Sequence, residues 1–319
     1  MNYNFTFIKK GIKIFCLFFI LVTIIISATT KATFAQENRK KIGLILSGGG
    51  GRGAAHVGVL KTLEKENIKI DYIVGTSVGA LIGGLYASGV PINDIEDFIA
   101  NGNFNQYYKT SFTPFRMVFY PFSKLTSKLK GKEFFPGIYS GEDFKNFLDT
   151  EIPKRGYQHR DIAFRAVTVD LAAGEIVELD LNEGIGKTIQ ASIAVPGLRK
   201  PVLIGDKLIT DGGTLNLIPV RSKEDLNVDV IIVIDATPQI DQKNLKEFNS
   251  FENIITRTIN IALGTQKKAS LSKADLVITP NLNGMEMLDL DKKKLTEAIA
   301  EGEKSTQEAI PRLKEIIMY

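Results

Sequence analysis

A chain of 319 residues, 44% hydrophobic and 24% charged, can bury a core of one or two domains, and its composition excludes a disordered, collagenous or polytopic membrane protein. The net charge of +4 resides in residues 1–35, where Lys9, Lys10, Lys13 and Lys31 stand without an acid; residues 36–319 set 36 basic against 36 acidic residues, so no global basic field for nucleic acid exists. A single cysteine excludes a disulfide framework. With only two histidines and no metal-ligand cluster, neither a metal nor a cofactor is expected.

In chain order, the first feature is an export signal. Lys9, Lys10 and Lys13 precede an apolar run from Ile14 to Ala28, and Thr33-Phe34-Ala35 offers a cleavage point before Gln36. The run is short for a spanning helix, which favours cleavage over an uncleaved anchor. Cys16 lies inside the run, too early for lipid attachment. The expectation is an exported protein, periplasmic or secreted, or one anchored to a membrane by residues 1–35.

Lys41 to Ser47 reads as a strand buried on both faces, because its apolar run is continuous rather than alternating. Four glycines follow, Gly48 to Gly51, and helical spacing resumes from Gly53 to Glu66. A second strand, Asp71 to Val74, enters Gly75-Thr76-Ser77-Val78-Gly79. A small and apolar helix then runs from Val78 to Ser88, stopped by Gly89 and Pro91. Strand, helix, strand, helix at this spacing predicts a mainly parallel α/β sheet with right-handed crossovers.

Residues 104–139 interrupt the pattern with eleven aromatics, six Lys or Arg, one acid (Glu133) and prolines at 114, 121 and 136. Regular structure returns with a helix near 142–150, strands at 162–170, 175–180, 201–210 and 228–235, and a helix near 185–194. A long amphipathic helix near 249–270, a strand at 275–279 and a helix after 291 complete the chain. With no repeat and no linker, residues 36–319 read as one domain carrying an irregular insertion at 104–139.

Gly75-Thr76-Ser77-Val78-Gly79 matches G-x-S-x-G. Such a serine sits on a strained strand-to-helix turn that lifts its hydroxyl out, while the glycines admit close backbone contacts and the helix N-terminus favours negative charge. Gly48-Gly49-Gly50-Gly51-Arg52-Gly53 also follows a strand and opens a helix, and its N–H groups converge as an anion nest. Gly48, Gly50 and Gly53 satisfy the dinucleotide pattern G-x-G-x-x-G, but the acid that pattern needs, at the end of the second strand, is absent: Asp71 stands at its beginning. An oxyanion is the better occupant. No histidine follows position 159, His159 lies in a charged stretch, and His56 lies in the first turn of a helix. The usual order of serine, acid, histidine therefore fails. Asp211, at a strand end and followed by Gly212 and Gly213, becomes the candidate base, against the reading of that dipeptide as an ordinary turn.

The three motifs, in this order and spacing, resemble the patatin-like phospholipase family of bacterial type. Ala191-Ser192-Ile193-Ala194-Val195-Pro196-Gly197 with Pro201-Val202, and Asn216 with Pro219, strengthen the resemblance, which covers roughly residues 41–240. It implies a three-layer α/β/α sandwich, a Ser77–Asp211 dyad, and an oxyanion hole in the glycine loop with Arg52 beside it. The one departure is Ser47, where some members carry an acid. The implied activity is hydrolysis of lipid acyl esters. Acyl transfer by the same site, or lipid binding by a weakly catalytic protein, are the alternatives.

In the insertion, Lys109, Arg116, Lys124, Lys128, Lys130 and Lys132 against Glu133 give a local charge of +5. Aromatic rings favour a bilayer interface, and each basic residue near an anionic leaflet contributes about 1 kcal/mol, so the segment is expected to touch the membrane surface; a satellite core under a solvated loop is the competing account. Changing Lys124, Lys128, Lys130 and Lys132 to Gln is expected to weaken binding to anionic vesicles and flatten its salt dependence in a flotation assay, with hydrolysis of a small soluble ester unchanged. Survival of both binding and salt dependence would assign the segment to the satellite core.

Overall fold

The centre of the sheet forms where the sequence is most uniformly apolar. Strands β1 (Ile42–Leu46) and β7 (Val230–Ile234) are buried at every residue, as parallel strands covered on both faces must be. They pair in parallel, and β1 pairs in parallel on its other edge with β2 (Tyr72–Thr76). Side chains alternate between two cores. Leu44, Leu46, Ile73, Ile232 and Ile234 face one, and Ile45, Val74, Ile231 and Val233 face the other. This computed structural model describes residues 39–101, 141–240 and 242–318, and residues from Lys41 onward belong to one compact unit. The expected export segment and the insertion at 104–139 lie outside the described residues.

Eight strands hydrogen-bond in the order β5-β6-β3-β2-β1-β7-β8, with β4 added on β3. Here β3 is Ala163–Asp170, β4 Glu175–Leu179, β5 Val202–Ile204, β6 Lys207–Asp211 and β8 Leu276–Ile278. β3, β2, β1, β7 and β8 run parallel, β4 and β6 pair antiparallel to β3, and β5 pairs antiparallel to β6. The first core takes α1 (Ala55–Lys65), α2 (Val78–Ala87), α3 (Ile92–Ala100), α4 (Glu142–Lys154) and, through Ile189, α5 (Ile185–Ser192). It also takes α8 (Lys292–Met318), which follows the short helix α6 (Lys223–Leu226) and α7 (Phe251–Leu271). On the opposite face Ile218, Val220, Leu226 and Val228 are packed by Leu271 and Ala274. The fold is therefore the expected α/β architecture, a mainly parallel sheet between helical layers.

Two expectations change. The stretch 201–210 is a hairpin rather than one strand, because Gly205 takes φ 62° and turns β5 back onto β6. Helix α3, which the sequence reading passed over, follows Pro91 and buries Ile92, Ile95 and Ile99 at helical spacing.

The register of β3 positions everything that follows. Its residues 166–170 pair with β4, 163–167 with β2, and 168–170 with β6. Because a strand has only two edges, β2 and β6 share one of them end to end. Thr76 stands opposite Val167 and Asp211 opposite Thr168, so the end of β2 meets the end of β6.

Helices α1 and α8 cross through facing glycines. A Cβ at Gly58 would lie 2.0 Å from the Ile299 carbonyl oxygen, and one at Gly302 would lie 2.1 Å from that of Ala55. Gly302→Ala is expected to force the helices apart and to destabilise the fold by about 1–3 kcal/mol in denaturant unfolding. An unchanged midpoint would show that the crossing yields without strain.

Candidate active site

Ser77 is the single residue between β2 and α2, with φ 55° and ψ −123°. The other described non-glycine residues with positive φ are both asparagines, which tolerate that region; a serine held there is strained and needs support from its surroundings. The flanking glycines make room for the turn. A Cβ at Gly75 would lie 2.5 Å from the Ala80 nitrogen, and one at Gly79 would lie 2.3 Å from the Leu46 carbonyl oxygen. α2 thus begins against the end of β1, with its first N–H groups at the serine.

Asp211 ends β6 and is 4% exposed. Its Oδ1 accepts the Gly213 N–H at 2.7 Å, while Oδ2 is buried without a hydrogen-bond partner among the described residues. Burial pushes the carboxyl pKa up to about 6, against the opposing pulls of the Gly213 N–H, the adjacent Ser77 hydroxyl and the Arg199 guanidinium. The hydroxyl is near enough to act on the carboxylate, yet the two share no well-aligned hydrogen bond, an arrangement common before substrate binds. Gly212 is obligatory here, since a Cβ would lie 2.4 Å from the Val167 carbonyl oxygen.

The glycine loop meets the same point. A Cβ at Gly48 would lie 3.6 Å from the Ser77 Cβ. Its six residues do different work. The Gly48 N–H donates to the Leu217 carbonyl at 2.8 Å and the Gly51 N–H to the Met287 carbonyl at 2.7 Å, so neither is open to an anion. The N–H groups of Gly49 and Gly50, residues with φ 154° and 59°, donate to nothing among the described residues. Gly53 lets the loop close on α2, because a Cβ there would lie 2.1 Å from Val78 Cγ1.

Arg52, expected beside the oxyanion, spends its guanidinium elsewhere. Buried, it donates to the carbonyls of Ala236 (2.9 Å), Thr237 (3.1 Å), Leu282 (2.7 Å) and Met285 (2.7 Å). Desolvation lowers its pKa, partly offset by Asp235 and Glu286.

Neither histidine is placed as a base. His56 is fully buried with Nε2 2.8 Å from the Ser47 carbonyl oxygen, and burial lowers its pKa to about 4. His159 is exposed beside Arg160, whose N–H bonds Ala87 at the far end of α2. No group of three or more metal-ligating side chains is found among the described residues.

Three supports escaped the sequence reading. The Ser192 hydroxyl accepts the Ser77 N–H at 3.0 Å and donates to the Val167 carbonyl at 2.8 Å. The Ala194 carbonyl accepts the Asp211 N–H at 3.1 Å and the Thr210 hydroxyl at 2.6 Å. The segment around residues 282–289 covers the glycine loop through Leu282, Met285 and Met287. The first two lie in the Ala191–Gly197 stretch quoted as a motif, but no spacing rule shows that one segment braces both strand ends.

A family model described as patatin-like phospholipase matches residues 44–222, more than half of the chain. The lysophospholipase NTE1 of Debaryomyces hansenii is 32% identical over 199 residues, covering 62% of this chain and 12% of that protein. The lysophospholipase nte1 of Neurospora crassa is 32% identical over 200 residues, with the same coverage of each chain. Both relatives are thus several times longer than this chain. Among solved structures, VipD from Legionella pneumophila is similar in fold, with a TM-score of 0.52 at 14% identity over 86% of this chain and 67% of that one.

Replacing Arg52 by Met is expected to cost about 2–4 kcal/mol in denaturant unfolding, because four carbonyls lose their donor. Arg52→Lys is expected to recover only part of this, since an ammonium does not span the guanidinium fork. Equal stability of Met and Arg at this position would remove the clamp from the account.

Proposed function

The chain belongs to the patatin-like phospholipase family, and on that premise we propose that it is a serine lipid acyl hydrolase in which Ser77 attacks an ester carbonyl and Asp211 takes the serine proton. The observation that carries this reading is the meeting of a half-buried serine at positive φ with a buried carboxylate oxygen that has no hydrogen-bond partner among the described residues. An ordinary aspartate is a poor base for a hydroxyl. One with a pKa of about 6 remains ionised at neutral pH yet holds a proton better. The Gly49 and Gly50 N–H groups are disposed to accept the negative charge of the tetrahedral intermediate. Collapse expels the alcohol, which takes the proton from Asp211 and leaves an acyl-Ser77 ester. Water, deprotonated by the same carboxylate, then releases the fatty acid.

The substrate class proposed is a phospholipid or lysophospholipid, in line with the names of the relatives. The composition of residues 104–139 supports contact with an anionic membrane surface as the route of delivery.

A fluorophosphonate is expected to label Ser77, and a mixed-lipid vesicle panel analysed by mass spectrometry to yield free fatty acid from wild type but not from Ser77→Ala. Labelling that survives Ser77→Ala would sink the assignment. The pH dependence follows from Asp211. kcat/KM is expected to fall on acidification with a single-proton midpoint near 6, as the base becomes protonated. Stability moves oppositely. The folded carboxyl, raised from 3.8 to about 6, holds its proton more tightly than the unfolded one, so stability is lost as pH rises from about 4 through 6. Asp211→Asn is therefore expected to abolish activity while raising the melting temperature at pH 7 to 8. A less stable Asn variant would contradict the burial account.

A further inference from the structure

The place where β2 leaves the sheet carries an unusual hydrogen bond. One further step of the parallel ladder past the Thr76–Val167 pair would bring the Ser77 N–H to the β3 edge. The chain instead turns into α2, and β6 takes over that edge from Thr168. The Ser77 N–H and the Val167 carbonyl would then be buried without partners. The Ser192 hydroxyl lies between them, accepting from the first and donating to the second. A hydroxyl is the smallest side-chain group that donates and accepts at once, and Ser192 has no solvent exposure.

We infer that Ser192 is a positioning residue for the reaction: its hydroxyl replaces the missing ladder bond and holds Ser77 in the positive-φ turn that aims its Oγ at the ester. The position of Ser192 in the chain reinforces this. It ends α5, and two residues later Ala194 holds the Asp211 N–H, so one short segment sets both Ser77 and Asp211. The Ser192 hydroxyl bonds backbone groups, the Ser77 N–H and the Val167 carbonyl, rather than the reacting oxygen. Its effect is on where Oγ stands relative to the carboxylate and the Gly49 and Gly50 N–H groups, and small displacements of a nucleophile are costly.

The inference rests on Ser77 being the nucleophile, and the test separates the two. Ser192→Ala is compared with Thr188→Val, which also removes a buried hydroxyl bond from α5, that of Thr188 to the Asp180 carbonyl (2.6 Å), without contact to Ser77. With a soluble ester at a temperature where both variants are folded, Ser192→Ala is expected to lower kcat roughly 10- to 100-fold. KM should stay within about twofold, because the substrate-binding surface is untouched. Fluorophosphonate labelling of Ser77 should slow by a similar factor, and Thr188→Val should keep the wild-type kcat. Ser192→Cys, which preserves volume but hydrogen-bonds weakly, is expected to lower kcat with KM unchanged, and it serves should the Ala variant fail to fold. Wild-type kcat in Ser192→Ala or Ser192→Cys, or an equal loss in Thr188→Val, overturns the inference. Failure of wild type to label at Ser77 would instead overturn the nucleophile assignment itself.

Discussion

Along one edge of β3, the parallel partner β2 stops at Thr76, opposite Val167, and the antiparallel partner β6 ends at Asp211, opposite Thr168. Two strands approaching from opposite directions thus finish against each other in the plane of the sheet. Each end must leave the ladder within one residue. That forces the serine into a positive φ and buries the aspartate beside it. The glycines on either side follow from the same crowding, because the turning chains pass within van der Waals contact of Leu46, Ala80 and Val167. The geometry of the centre is a consequence of strand ends that share too little space for ordinary side chains and ordinary dihedrals.

Such an arrangement is unfavourable in isolation. A strained serine costs of order 1–3 kcal/mol, and a buried carboxylate oxygen without a partner costs a similar amount. The surroundings offset this mainly with hydrogen bonds that involve backbone groups, beside the charge of Arg199. Ser192 and Ala194 hold the N–H groups of the two residues, Asn216 accepts the Thr76 hydroxyl through its carbonyl, and Gly213 donates to the carboxylate. Desolvation still dominates at Asp211 and leaves its pKa raised.

The glycine loop depends on a part of the chain that lies outside the matched family region, which ends at residue 222. Met287 accepts from Gly51, and Leu282 and Met285 accept from Arg52, so the segment preceding α8 closes over the loop. Arg52 is committed to four carbonyls from two segments, and so ties the loop to both of them. The N–H groups of Gly49 and Gly50 donate to nothing among the described residues.

Much of this was legible in the residues. Continuous apolar runs identified β1 and β7 because parallel strands are buried on both faces, and the glycine clusters at 48–53, 75–79 and 211–213 marked three turns where backbone approaches backbone. Local spacing carries that information, since strand burial and turn conformation are properties of a few consecutive residues. The hairpin at Gly205 and helix α3 were missed because one apolar stretch accommodates a break, and a nine-residue helix after proline offers few repeats. The division of labour within Gly48–Gly53, the clamp made by Arg52 and the bridge made by Ser192 were decided only by tertiary structure. Each depends on which carbonyl or N–H arrives from more than a hundred residues away, and hydrogen-bond partners at that separation leave no periodicity in a single chain.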